Sequence, residues 1–410
     1  MTSAQSIRIT YARPFLIGLD FVMIFLRSFI GAAFFALTAS VFSGEVTSIP
    51  ESEKERLELN TEFYQKYLSF RGFPIVASEK VSDYAFYEAA YLMEKMLGDR
   101  QDLLDAMTEQ KIRLAIMAPS EHTTDIPEHS DLEPKSYWDR RARGLGATKI
   151  RPAVSVGEEN LLGYRGDPYA AESIFVHEFA HVIHEMGIRN IDPGFQKRLE
   201  LVFGRAALKG LWRGKYAGTN PSEYWAEGVQ SWFDTNREND FDHNHVNTRE
   251  ELKEHDPELA SLIEEFLGDG QWRYKKPADR EQALHLTGFD VNDSPTFEWS
   301  EELVAAYEAI ERGDDYDSLP LAPMTQFDRD TILSASGPAV KLRLENQTKQ
   351  RISFFWIGYD GNRRHYGDLD PGRKFTQRTY GSHVWVIVDE NGGDYGWIQA
   401  SDTDCRVVIE

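Results

Sequence analysis

Hydrophobic positions recur along this chain with two periods, and the change of period divides it. Between Asp83 and Leu97, Ala85, Ala89, Ala90, Leu92, Met93 and Met96 fall three and four residues apart, which makes one face of a helix apolar. Ser82 or Asp83 can cap its start, and Gly98 follows its end. Residues 51–71 are dense in charge and read as helical, while residues 74–77, 112–117 and 151–156 are short apolar runs that read as strands. From Val340 onward the period falls to two, in short runs separated by Asp360-Gly361, Pro371-Gly372 and Asn391-Gly392-Gly393. That pattern predicts an α+β domain over residues 45–314 followed by a small all-β sandwich over 340–410. Residues 315–339 hold three prolines and Ser334-Ala335-Ser336-Gly337 without a clear period, and read as a linker.

The first 44 residues stand apart from both domains. The chain is strongly apolar from Phe15, but Asp20 and Arg27 interrupt it, leaving an uncharged stretch of 17 residues, 28–44. That is marginal for a membrane span. A start at Met23 gives a short head with Arg27, an apolar centre through Phe35 and Leu37, and small residues at Ser40 and Ser43, which is the grammar of a signal peptide. Two readings stand: a cleaved signal of a secreted or cell-envelope protein, or an uncleaved anchor that would be its only membrane contact.

Composition narrows the chemistry. The 410 residues exceed what one core usually serves. Lys and Arg number 45 against 67 Asp and Glu, and the resulting net charge of −22 argues against nucleic acid as a partner. Loss of the first 44 residues, whose charges are Arg8, Arg13, Arg27 and Asp20, would make the remainder more acidic still. Cys405 is the single cysteine, so there is no intrachain disulfide and no thiolate zinc cluster. A metal in this chain must be held by histidine and carboxylate.

One stretch has the spacing for that. His177-Glu178-Phe179-Ala180-His181 lies in an apolar helical context, and two histidines four apart share a helix face, so both imidazoles can reach one ion. Glu178, on the adjacent face, can take a proton from water. A catalytic zinc wants a third protein ligand. The extension with Gly at 184 and His at 187 is excluded, since His184 and Gly187 stand there. Downstream, Ser222 reads as an N-cap after Pro221, and Glu223 and Glu227 share a face of the following helix; either could ligate. His184 reads as a supporting or solvent-facing residue. Asp240, Asp242, Asn244 and Glu251 imitate a calcium loop, but His245 occupies the place of the required glycine, so the stretch reads as a polar loop capping the next helix.

His177-Glu178-Phe179-x-His181, then Tyr216, then Glu223 in a Glu-aromatic-aromatic-Ala-Glu block, resemble the Glu-ligand branch of the zincin metallopeptidases, the branch of the anthrax lethal factor catalytic domain. The resemblance covers mainly residues 172–233. It implies a zincin-like metallopeptidase domain with one Zn2+ per chain on His177, His181 and Glu223, Glu178 as general base, Tyr216 steadying the oxyanion, Glu227 orienting a histidine from behind, and a protein or peptide substrate. Residues 151–156 would be the edge strand on which that peptide lies.

Residues 342–410 resemble the von Hippel–Lindau β domain, through Asn346, Trp356, Tyr359-Asp360-Gly361, Tyr366, Leu369-x-Pro371-Gly372 and Thr379-Tyr380-x-x-His383-x-Trp385. The resemblance implies that Tyr366, Thr379, His383 and Trp385 line a hydroxyproline pocket with Tyr380 beside it, for a proline-rich or hydroxylated peptide. The alternative is that these aromatics are sandwich core and turn residues. Asp368 and Asp370 depart from the family's Pro-rich loop. The combined expectation is an exported zinc-dependent metalloendopeptidase; its rival is a non-catalytic envelope or adhesion protein that keeps the scaffold.

Overall fold

A computed structural model describes residues 44–313 and 316–410. Its contacts divide the chain into two units, one holding residues up to 132 and 142–298, the other 133–141 and 299–410. The expected signal or anchor therefore lies, but for Gly44, outside the described residues. Among those described, no helix is long and apolar enough to cross a membrane.

The first unit is mixed α/β. Its six-stranded sheet comprises β1 (Thr47–Ser48), β2 (Lys66–Phe70), β3 (Phe73–Ala77), β4 (Arg113–Met117), β5 (Gly144–Leu145) and β6 (Ala153–Gly157), in the order β1-β2-β3-β4-β6-β5. The three central strands β3, β4 and β6 run parallel and the rest join antiparallel. Parallel strands are usually buried on both faces, and here Ile75, Leu114 and Val154 pack into one apolar cluster while Val76, Ala115 and Ala153 pack into another.

Helix α1 (Glu51–Leu57) precedes β2, and its boundary corrects the reading of 51–71 as one helix. The charge pairs that looked helical, Glu51 with Lys54 and Glu53 with Arg56, span only this short helix. Glu58 then turns left-handed at φ 54°, and Leu59, Tyr64 and Tyr67 are drawn beneath the sheet. Helix α2 (Asp83–Leu97) has the expected ends: the Ser82 hydroxyl accepts from the Tyr84 N–H, and Gly98 takes φ 55°.

A second correction concerns the edge. Strand β6 is covered on its outer side by β5, which pairs Gly144 with Val156 and Leu145 with Ser155 and is the last strand of the sheet. Glycine permits this approach, because a Cβ at 144 would fall 2.4 Å from the Ile174 side chain.

Against this sheet lies α3 (Ile174–Val182), continuing through a wider π-helical turn to Ile188; α5 (Pro221–Trp232) packs on α3, and α4 (Phe195–Lys209) and α6 (Pro257–Leu267) pack on α5. The Trp225 indole donates to the Ala180 carbonyl at 3.0 Å and ties α5 to α3. Gly228 lets α5 meet α6, since a Cβ there would sit 2.6 Å from Leu259. The run from Asp240 leads into helix Arg249–His255, capped reciprocally by Thr248 and Glu251.

In the second unit, β7 (Asp317–Ser318), β8 (Ala339–Asn346), β9 (Ile352–Ile357), β10 (Arg363–Leu369), β11 (Lys374–Tyr380), β12 (Val384–Val388), β13 (Asp394–Gln399) and β14 (Cys405–Ile409) form two four-stranded sheets, β10-β9-β12-β13 and β11-β8-β14-β7. Alternate residues from both, such as Leu342 and Leu344, Phe354 and Trp356, Trp385 and Ile387, Cys405 and Val407, share one sandwich-like core. Residues 315–339, expected as a linker, instead supply β7, paired parallel with β14, and the short helix Gln326–Thr331. Helix Glu301–Arg312, expected in the first domain, also belongs here: Tyr307 stacks on Tyr137 of helix Lys135–Arg141 at 5.6 Å.

Candidate metal centre

Helix α3 turns Phe175, Val176, Phe179 and Val182 into the core, which fixes its rotation and leaves His177 and His181 together on another face. Helix α5 begins at Asn220, whose side chain accepts from the N–H groups of Ser222 and Glu223, with Pro221 in the first helical position, where it has no N–H to lose. Asn220, not Ser222, is thus the cap. This frees the Ser222 hydroxyl to meet Nδ1 of His181 at 3.0 Å and aims Glu223 at the histidines.

The three donor atoms form a nearly equilateral triangle. Nε2 of His177 and Nε2 of His181 are 3.2 Å apart, and Oε2 of Glu223 lies 3.2 Å from the first and 3.3 Å from the second. A tetrahedral ion with bonds near 2.0–2.1 Å places its ligands about 3.3–3.4 Å apart. The two imidazoles and the carboxylate suit zinc, and Oε2 of Glu223 is buried and receives no hydrogen bond. These residues fit a bound ion.

The electrostatics agree. Burial pushes the His177 pKa down, but the Glu223 carboxylate against its Nε2 and the charges of Glu178 and Glu227 outweigh burial and push it up to about 10. Burial also opposes the Glu223 charge, yet the two histidines hold its pKa well below the usual carboxylate range.

The remaining expected residues fall around the triangle. Glu178 is half-buried, and a Cβ on Gly146, just beyond β5, would lie 3.4 Å from its Oε2 and 3.3 Å from Cβ of His181. The Tyr216 ring lies 6.4 Å from the His177 ring, centroid to centroid. Glu227 points away from the triangle: Oε1 is 3.5 Å from Nδ1 of His177, while Oε2 accepts from Asn236 at 3.0 Å and lies 3.3 Å from Nε2 of His243. Hence Glu223 joins the donor atoms and Glu227 stands behind them. The hydrogen-bond partner of His177 Nδ1 is Oε1 of Gln230 at 2.8 Å, a residue that sequence reasoning missed. Its spacing of seven from Glu223, two turns along the same helix face, was the available signal. His184 is buried, with Nε2 on Gln196 at 2.9 Å, away from the triangle.

In the second unit the five expected pocket residues also converge. The Trp385 indole donates to Oγ1 of Thr379 at 3.1 Å, and His383 lies between Thr379, 3.2 Å from Nδ1, and the Tyr359 hydroxyl, 3.0 Å from Nε2. Tyr366 stands edge-on to Trp385 at 4.9 Å, and Tyr380 lies 5.2 Å from His383. Thr379, His383 and Trp385 are buried while Tyr359, Tyr366 and Tyr380 are about half exposed, so core and rim meet in one cluster. Tyr359 was read only as part of a turn.

A family model, the VHL beta domain, matches residues 334–400. No curated protein matches the chain.

Proposed function

We propose that the first unit is a zincin-type, zinc-dependent metalloendopeptidase. The triangle of His177, His181 and Glu223 donor atoms, with edges of 3.2–3.3 Å, carries the reading. When bound there, Zn2+ supplies Lewis acidity that polarises the scissile carbonyl and acidifies water. Glu178, the carboxylate between the two histidines in the sequence, accepts the proton as water attacks and returns it to the leaving amine. The Tyr216 phenol donates to the oxygen on which negative charge develops. Strand β5, the last in its sheet, beginning at Gly144 and followed by Gly146, offers an extended peptide a backbone to pair with beside the histidines. The protein's place outside the cell rests on the apolar N-terminal segment read as a signal; with a single cysteine, such a protein would rely on its core and metal instead of disulfides. The reading is tested by zinc content and peptide cleavage: about one zinc per chain and hydrolysis lost on chelation support it, and a zinc-free or inert chain refutes it.

The second unit, in this proposal, captures proline-rich or hydroxylated peptide. Support comes from the half-exposed Tyr359, Tyr366 and Tyr380 around the buried hydroxyl of Thr379 and imidazole of His383. Titration of the full chain with matched proline and hydroxyproline peptides tests this; equal failure of both to bind removes it.

A further inference from the structure

The hydrogen bond from Nδ1 of His177 to Gln230 carries a direction. Oε1 of an amide can only accept, so the 2.8 Å contact requires hydrogen on Nδ1. The amide itself cannot be reversed: its Nε2 donates to Oε2 of Glu172 at 3.0 Å and to the Ser173 carbonyl at 3.4 Å, both acceptors only. A flipped amide would set oxygen against both. Glu172 is in turn held from its other side by Arg237, whose Nε lies 2.9 Å from Oε1. Gln230 and Glu172 are both buried, so water does not compete for these contacts. The second histidine has no such constraint, because the Ser222 hydroxyl beside Nδ1 of His181 can donate or accept.

We propose that Gln230, locked by Glu172 and Arg237, is the positioning residue that keeps the hydrogen of His177 on Nδ1 and so reserves Nε2 for the metal. This rests on reading His177, His181 and Glu223 as a zinc site. The chain Arg237–Glu172–Gln230–His177 runs from the loop after α5 to the segment before α3, back to α5 and then to α3, so packing of the two helices sets the ring's orientation as well as its tautomer.

The test is Zn2+ affinity of the full chain, measured by competition with a chromophoric chelator and therefore independent of cleavage. Gln230→Leu, which removes the acceptor at 2.8 Å and leaves only Oε1 of Glu227, 3.5 Å from Nδ1, is expected to weaken binding by about 10–100-fold. Exchanging the pair, Gln230→Glu with Glu172→Gln, keeps an acceptor for Nδ1 and a donor for that acceptor, and is expected to bind within about threefold of the parent chain. Should Gln230→Leu fail to fold, Glu172→Gln alone tests the same lock, because it replaces the carboxylate by an amide that can donate to Oε1 of Gln230 and leaves only the Ser173 carbonyl, at 3.4 Å, to oppose a turn of NH2 toward the ring; it too is expected to weaken binding. In the zinc-loaded, 15N-labelled parent, His177 should show a slowly exchanging hydrogen on Nδ1 that exchanges rapidly in Gln230→Leu. Parent-like affinity and exchange in the folded single variants would overturn the inference while leaving the zinc site standing. A parent chain whose zinc binding is absent, or indifferent to His177→Ala, overturns the zinc site and this inference with it.

Discussion

Oε2 of Glu223 stands 3.2 Å from Nε2 of His177, across the contact between two helices that the Trp225 indole ties together. Their separation is a property of helix packing rather than of flexible surface chains, for His177 is buried and Glu223 largely so. Donor atoms held this way are in place without an ion, and under the proposed zinc reading binding strength follows from how few groups must move.

Zinc should therefore bind at about one ion per chain and raise the melting temperature, since an ion held only by the folded state stabilises it by mass action. His177→Ala and His181→Ala should each abolish stoichiometric zinc, as read by elemental analysis after gel filtration. Unchanged zinc in both variants would place the ion elsewhere.

How much of this was legible beforehand depends on the range of the interactions involved. The ends of α2 were readable because Ser82 and Gly98 act on their own helix. So was the histidine pair, which needs only helical spacing. Glu223 and Glu227 could not be separated by spacing, because both lie on one face of α5; the contacts of Glu227 with Asn236 and His243, on the loop that follows α5, set it apart from the triangle. Residues 66–70 were misread for the same reason, as their strand conformation is imposed by pairing with β3. Strand β7 is two residues long and gains its identity only from Cys405 and Arg406 nearly ninety positions away.

The glycines at the start of β5 and just beyond its end should prove intolerant in different ways. Gly144→Ala puts a methyl 2.4 Å from the Ile174 side chain, and such overpacking costs about 1–3 kcal/mol, to be read by denaturant unfolding. Gly146→Ala makes only tight contact, 3.3 Å from Cβ of His181 and 3.4 Å from Oε2 of Glu178, so stability should change little while cleavage falls. Equal activity of Gly146→Ala and the parent would argue that β5 does not border the reaction.

Away from the candidate metal centre, Glu158 should make stability fall with pH. Burial, with help from the charges of Glu159 and Glu121, pushes its pKa from 4.5 up to about 7, against the Ser82 N–H and Lys66. Between those values the unfolded chain has released the proton and the folded chain still holds it, so stability drops as pH rises through the window, by up to on the order of 3 kcal/mol. Glu158→Gln, which still offers Ser82 an acceptor, should raise the melting temperature at pH 8 and leave it nearly unchanged at pH 4.5. An equal effect at both pH values would contradict the shift.

In the sandwich, Thr379→Val keeps the volume and removes the oxygen that accepts from the Trp385 indole and meets His383. Leaving buried polar groups unpaired should cost about 1–3 kcal/mol, visible in thermal unfolding. It should also remove any preference for hydroxyproline over proline peptide. A preference that survives the substitution would place the hydroxyl contact on another residue.

The central claim is that Glu178 activates water at a zinc held by His177, His181 and Glu223. Its most direct test is peptide-library cleavage by the parent chain and by Glu178→Gln, each with its zinc content measured. The claim expects equal zinc in both and cleavage reduced by about 10²–10⁴-fold in the variant. Full cleavage by zinc-replete Glu178→Gln would contradict it, as would a zinc-loaded parent that cleaves nothing.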